Sequence, residues 1–212
     1  MVSTVHVVDH DDTTRGTTAC TLTAAGFAVR TYALGDELLA DFQPNTPGCI
    51  ILNVYMPGRS GFEIQAALAQ RQASAPIVFV TRYPQIPDSV RAIRDGAVDF
   101  LTKPVEPHRL VDAVTRALAR DAANRVERAR RQALIARYER LTHREREVLQ
   151  HLISGQTNKD VAADLHISER TVKLHRAQIS LKLEIASLAR MVWFARDIGI
   201  EPAAIEVGRQ RG

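Results

Sequence analysis

Five short apolar runs rich in β-branched residues recur through the first half of the chain, at residues 5–8, 27–31, 49–52, 77–80 and 98–101. Helix-length segments separate them, with spaced apolar residues such as Ile64 and Leu68, then Val90 and Ile93. Continuous rather than alternating apolar strands, each followed by a helix, are the pattern of a parallel sheet covered on both faces. The punctuation agrees: Gly26, Gly35, Pro44 to Gly48, Pro57-Gly58 and Gly96 mark the turns. Because parallel strands share a direction, the polar residues ending them meet at one edge. These are Asp9, His10 and Asp11 after the first run, Asn53 after the third, Thr81 and Arg82 after the fourth, and Lys103 after the fifth. In open α/β sheets ligands and chemistry gather at that edge.

After Asp121 the pattern changes. Residues 107–140 contain no Gly and carry Pro only at the start, so one long helix is expected to leave the sheet and run on as a linker. Its Arg125, Arg128, Arg130 and Arg131 read as solvated surface or DNA contacts. Val126, Ala129, Ala133 and Leu134, at helical spacing, could pair with a second copy. Beyond it only helices are predicted. Thr142 with Glu145 forms a capping box, Gly155 stops that helix, His166-Ile167-Ser168 turns tightly, and Ser168 caps a helix starting at Glu169. The expected organisation is residues 1–123, a helical linker at 124–140, and a helical domain at 141–205.

Charge divides the same way. Residues 1–123 hold 11 Lys+Arg against 13 Asp+Glu, and residues 124–212 hold 17 against 11, within an overall +4. A basic C-terminal half points to a polyanionic partner. No stretch approaches the ~18 unbroken apolar residues of a membrane span, and the N-terminus has no basic n-region, so no membrane partner and a cytoplasmic location are expected. Cys20 and Cys49 lack metal-ligand spacing and are expected to be free thiols.

On the helix from Glu169, 100° per residue places Val172, Ile179 and Leu183 on a core side. Arg170, Lys173, Leu174 and Ala177 lie opposite, with Gln178 at the margin, a mixture that suits base edges and thymine methyls. Thr171, Arg176, Asn158 and Lys159 flank that face and suit phosphates.

The strings VHVVDHDD, CIILNVYMPGRSG, IVFVT and GAVDFLTKP resemble the receiver domain of two-component response regulators, over roughly residues 3–120. LTHREREVLQHLISGQTNKDVAADLHISERTVKLHRAQI resembles the LuxR-type helix-turn-helix of the NarL/FixJ response regulators, over about residues 141–200. The resemblance implies a flavodoxin-like sheet of order 2-1-3-4-5, followed by an all-α head that reads double-stranded DNA as a homodimer paired through residues 188–194. It further implies a magnesium-dependent phosphoacceptor pocket, with Thr81 and Phe100 as switch residues and a sensor kinase as donor.

Three positions depart from that pattern. Asn53 stands where the family has its phosphorylated aspartate, and a carboxamide cannot form an acyl phosphate. His10 replaces the second metal-binding acid, and imidazole is a poor ligand for a cation that wants hard oxygens. Arg82 occupies a position usually small, with a cation long enough to fold into the pocket. The expectation is therefore an atypical receiver that uses no cofactor, offers at most a weak magnesium site at Asp9 and Asp11, and has no enzymatic activity. Asn53 then serves a silent scaffold, a pocket tuned to another ligand or to pH through His10, or a residual form of signalling. Conventional phosphorelay control, and a receiver that acts mainly by binding another protein, are the competing functions.

Overall fold

The computed structural model describes residues 3–71, 73 and 75–204; the expected domain limits at 1 and 205 lie outside them. The chain forms two compact units, Met1–Val126 and Glu127–Gly212.

In the first unit β1 (Thr4–Val8), β2 (Ala28–Tyr32), β3 (Gly48–Asn53), β4 (Ile77–Thr81) and β5 (Asp99–Thr102) form one sheet of order β2-β1-β3-β4-β5. Every pairing is parallel. Between the strands run α1 (Asp12–Ala24), α2 (Gly35–Asp41), α3 (Gly61–Gln70) and α4 (Ile86–Arg94), and α5 (Pro107–Glu139) follows. The two-residue period of a strand sorts the apolar runs to opposite faces. Val8, Ile50, Leu52 and Phe79 pack with Leu38 of α2 and Ile64 and Leu68 of α3. Val5, Val7, Cys49, Ile51 and Val78 pack with Leu22 of α1 and Leu110, Val114 and Ala117 of α5. Burial of a side chain such as Ile50 or Leu52 contributes about 1.5–3 kcal/mol.

Two expectations change. β2 is an edge strand with Ala28, Arg30 and Thr31 exposed, so the cover over the sheet is incomplete there. Val90 and Ile93 do not face the sheet: they are exposed, and Ala92 is the buried residue of α4. Residues three apart share a helix face, but their spacing does not say whether that face meets the core.

The second unit packs α6 (His143–Ile153), α7 (Asn158–Asp164), α8 (Glu169–Leu183) and α9 (Leu188–Ile198) around Val148, Leu149, Leu152, Val161, Val172, Ile179, Leu183 and Phe194. Leu134 and Tyr138, near the end of α5, pack against that core, so Leu134 is half-buried within its own chain. Arg130 pairs with Asp197 at 2.7 Å, and Arg125 donates to the Asn45 carbonyl at 2.6 Å. The capping box at Thr142 and Glu145 is formed, as is the Ser168 cap, which accepts from Thr171 N. Cys20 and Cys49 are free thiols. Among the described residues no helix is long and apolar enough to cross a membrane.

Candidate functional site

Parallel register delivers the strand ends together. Val8 lies beside Leu52, Asn53 beside Val80, and Thr81 beside Thr102, so Asp9, Asn53, Thr81 and Lys103 emerge at one edge. Gly61 fixes the centre of this edge. Its N–H donates to the Val54 carbonyl at 2.8 Å, and a Cβ there would stand 2.4 Å from the Asn53 carbonyl oxygen and 3.0 Å from the Phe79 ring. Only glycine allows α3 to begin so close to the strand end.

Asp9 is buried, and both its carboxylate oxygens are engaged. Oδ1 accepts from Asn53 Nδ2 at 3.0 Å and from Asp11 N at 3.2 Å, while Oδ2 is paired with Lys103 Nζ. Asn53 is buried as well, and its Nδ2 lies 3.4 Å from His10 Nδ1. His10 is 43% exposed and stands at the rim. Thr81 is buried, and its Oγ1 accepts from Tyr83 N at 3.4 Å. Phe100 is half-buried, with its ring 6.2 Å from that of Phe79.

Asp11 and Arg82 line the pocket, but without lending a free carboxylate or folding a cation inward. The Asp11 carboxylate caps α1, accepting from Thr14 N at 2.7 Å, and that N–H first of all holds the carboxyl below its ordinary value. Arg82 remains 60% exposed and approaches Asp11 at 3.9 Å rather than folding over Asp9. Asp11 draws it outward, and Lys103 already serves the inner carboxylate.

Magnesium needs an octahedral shell of hard oxygens. The donors here are one carboxylate consumed by a lysine and an amide, one carboxylate used as a helix cap, and an imidazole. That set does not fit the ion. The pocket is a hollow of about 340 Å³ whose wall includes Tyr55, Met56 and Tyr83, which the sequence reading did not single out. Tyr55 is held by a 2.5 Å hydrogen bond to Asp88. Its place directly after the Asn53-Val54 strand end was the available signal.

A second polar cluster also went unseen. His6, buried in the middle of β1, has Nδ1 3.0 Å from the Tyr32 hydroxyl, which donates to Asp41 at 2.6 Å, where Arg30 also donates at 2.7 Å. His6 Nε2 is buried without a hydrogen-bond partner among the described residues. Burial first, then the Arg30 charge, push the His6 pKa down from its ordinary value, against an upward pull from Asp41. The Tyr32 hydroxyl is pushed up to about 12, chiefly by burial and then by Asp41. A histidine interrupting an apolar strand was the visible cue.

In the second unit Arg170, Lys173, Leu174, Ala177 and Gln178 share an exposed face of α8, opposite buried Val172, Ile179 and Leu183. Arg170, Lys173 and Gln178 make no hydrogen bond or ion pair among the described residues. Arg176 donates to Asn158 Oδ1 at 2.6 Å, tying α8 to α7, and Lys159 is exposed beside that tie. The Thr171 hydroxyl is 2.8 Å from that of Ser168. Glu145, buried at the start of α6, receives Lys182 at 2.9 and 2.7 Å and Thr142 N at 2.7 Å. Burial opposes its charge, yet Lys182 and then Thr142 hold its carboxyl below the ordinary value.

A five-stranded parallel sheet of this order followed in the chain by a helical unit is the architecture of a receiver joined to a LuxR-type head. The response regulator receiver domain family matches residues 5–115, and the luxR family of bacterial regulatory proteins matches residues 139–195. The transcriptional regulatory protein FixJ of Azorhizobium caulinodans is 37% identical over 199 residues, 94% of each chain. The C4-dicarboxylate transport transcriptional regulatory protein DctR of Rhodobacter capsulatus is 36% identical over 196 residues, covering 90% of this chain and 100% of that one. Among solved structures, the response regulator StyR is similar with a TM-score of 0.79 and 40% identity, over 92% of this chain and 99% of that one. The chain belongs to the NarL/FixJ family of response regulators and is a DNA-binding transcriptional regulator.

Proposed function

We propose that this regulator works without an acyl phosphate at its receiver, its DNA-binding output being set by protein concentration, a partner or a ligand. The observation that carries the reading is Asn53, a buried carboxamide at the end of β3 whose nitrogen donates to Asp9. An amide there is no nucleophile towards a phosphodonor. The reading assigns Asp9, His10, Asn53, Thr81, Arg82 and Lys103 to a degenerate phosphoacceptor pocket, with Thr81 and Phe100 the vestige of its switch.

In the same reading the receiver spans 1–123 and the linker 124–140, and the head begins at 141. Arg170, Lys173, Leu174, Ala177 and Gln178 meet base edges in the major groove, while Thr171, Arg176, Asn158 and Lys159 meet phosphates. Exposed Leu188, Val192 and Trp193 on α9 supply the apolar surface for a dimer on DNA. One further observation favours a receiver that also binds protein: Ile86, Val90 and Ile93 form an exposed apolar row on α4.

The test is intact-mass measurement of the full chain with magnesium and acetyl phosphate, paired with a gel shift on selected DNA. Unchanged mass and equal retention of DNA with and without the phosphodonor are expected, also after Asn53→Gln. Stoichiometric phosphorylation of the unaltered chain, or retention that needs the phosphodonor, would sink the reading.

A further inference from the structure

Helix α1 is unusual for a helix that covers a sheet. Of its residues Leu22 alone is buried, and five threonines, Thr13, Thr14, Thr17, Thr18 and Thr21, occupy the side turned toward β4 and the start of α5. Helices in this position normally close against the sheet with large apolar side chains. Threonine is smaller, and the gap remains: a hollow of about 440 Å³ lies between the threonine wall and Val80, Val105 and Leu110. That volume is within the ~300–1,000 Å³ usual for small-molecule sites.

The chemistry of the lining is one-sided. Arg82 and Lys103 stand at it, and no aspartate or glutamate does. Lys103 is committed to Asp9, but among the described residues the Arg82 guanidinium is held only by the 3.9 Å approach of Asp11, and it is mostly solvated. Thr17 and Thr21 spend their hydroxyl protons on carbonyls of their own helix, each at 2.9 Å. The hydroxyls of Thr13 and Thr18 make no hydrogen bond among the described residues. An apolar floor, two uncommitted hydroxyls and one loosely held cation together select a particular guest.

We propose that this hollow binds a small amphipathic organic anion, with a carboxylate or sulfonate on Arg82 and a compact apolar body over Val80, Val105 and Leu110. The site is distinct from the strand-end pocket, yet Arg82 and Lys103 line both hollows. A ligand that draws Arg82 away from Asp11 therefore acts on the wall of the pocket where the family's trigger sits. The inference does not depend on whether the receiver is phosphorylated.

The experiment is a methyl NMR titration of the full chain with benzoate, and with benzyl alcohol as a neutral counterpart of similar shape, at constant ionic strength. Benzoate is expected to shift the methyl signals of Val80, Val105 and Leu110 saturably, with benzyl alcohol about threefold to fivefold weaker, the order of one exposed ion pair. Arg82→Gln should erase the difference between the two probes, and Thr18→Leu, which pushes a larger side chain into the hollow, should weaken both. If Thr18→Leu does not fold, the Arg82→Gln comparison decides alone. Equal affinity of the two probes, shifts confined to Met56 and its neighbours in the strand-end pocket, or no saturation would overturn the proposal.

Discussion

Each unit of this chain encloses a lysine paired with a buried carboxylate, Lys103 with Asp9 in the receiver and Lys182 with Glu145 in the helical head. The surroundings differ. Glu145 closes the capping box of α6 and joins its start to the last turn of α8, so the pair is a tie between helices. Asp9 stands at a strand end next to open volume, with Asn53 and a backbone N–H supporting it besides the lysine. The same two functional groups thus serve as a structural clamp in one place and, in the function proposed above, as the remnant of a phosphoacceptor pocket in the other. What marks the Asp9 pair is the open volume at its pocket and the third donor group, Asn53, spent on the acid.

The sharpest test of this contrast is to remove each lysine. Lys182→Met strands a buried carboxylate and should cost about 3–5 kcal/mol in the helical unit, read by chemical denaturation followed through residue-specific NMR signals. Lys103→Met should cost less, about 1–3 kcal/mol, because Asn53, the Asp11 N–H and solvent in the adjoining hollow continue to serve Asp9. Equal losses would break the comparison. On the exposed face of α8 the effects should fall in binding rather than folding. Arg170→Ala or Lys173→Ala is expected to weaken specific DNA binding by about 1–3 kcal/mol with relaxed base preference. Lys159→Ala should weaken binding to all sequences and lower the salt slope by about one.

Acid should separate the units more gently. The folded-state pKa of His6 is depressed, so the neutral form is favoured in the folded chain, and its contribution is complete above the ordinary value of 6.5. That contribution declines as pH falls below 6.5 toward the lowered value. Glu145 is depressed too, so its contribution is complete above 4.5 and is lost only below that. The receiver is therefore expected to weaken before the head as pH drops, seen as earlier loss of amide protection around β1 and β2. His6→Ile should abolish the early phase. Loss of protection in α6 and α8 first would contradict the assignment.

The strand order came from the family resemblance, whereas the convergence of Asp9, Asn53, Thr81 and Lys103 was legible because it follows from short-range pattern: apolar runs, turn residues and a shared strand direction. The caps at Thr142 and Ser168 were legible for the same reason. The His6, Tyr32 and Asp41 chain was not, since it joins residues far apart in sequence through β-strand pairing and a helix that folds back. The position of Arg82 was also beyond reach, because Asp11 competes for it and the outcome depends on where α1 begins. Nor did periodicity reveal that threonine on α1 would leave a hollow, or that the apolar row of α4 would face outward.

Gly61 carries a consequence for the history and the engineering of this protein. The end of β3 is located by backbone contacts, a hydrogen bond to Val54 and the close seat of α3 against the Asn53 carbonyl, rather than by whatever side chain residue 53 bears. Such a position can exchange acid for amide, in either direction, while the fold around it stands. On the function proposed above, the mould for an acid at residue 53 is therefore still in place, and a single codon change, Asn53→Asp, would put a carboxylate into it.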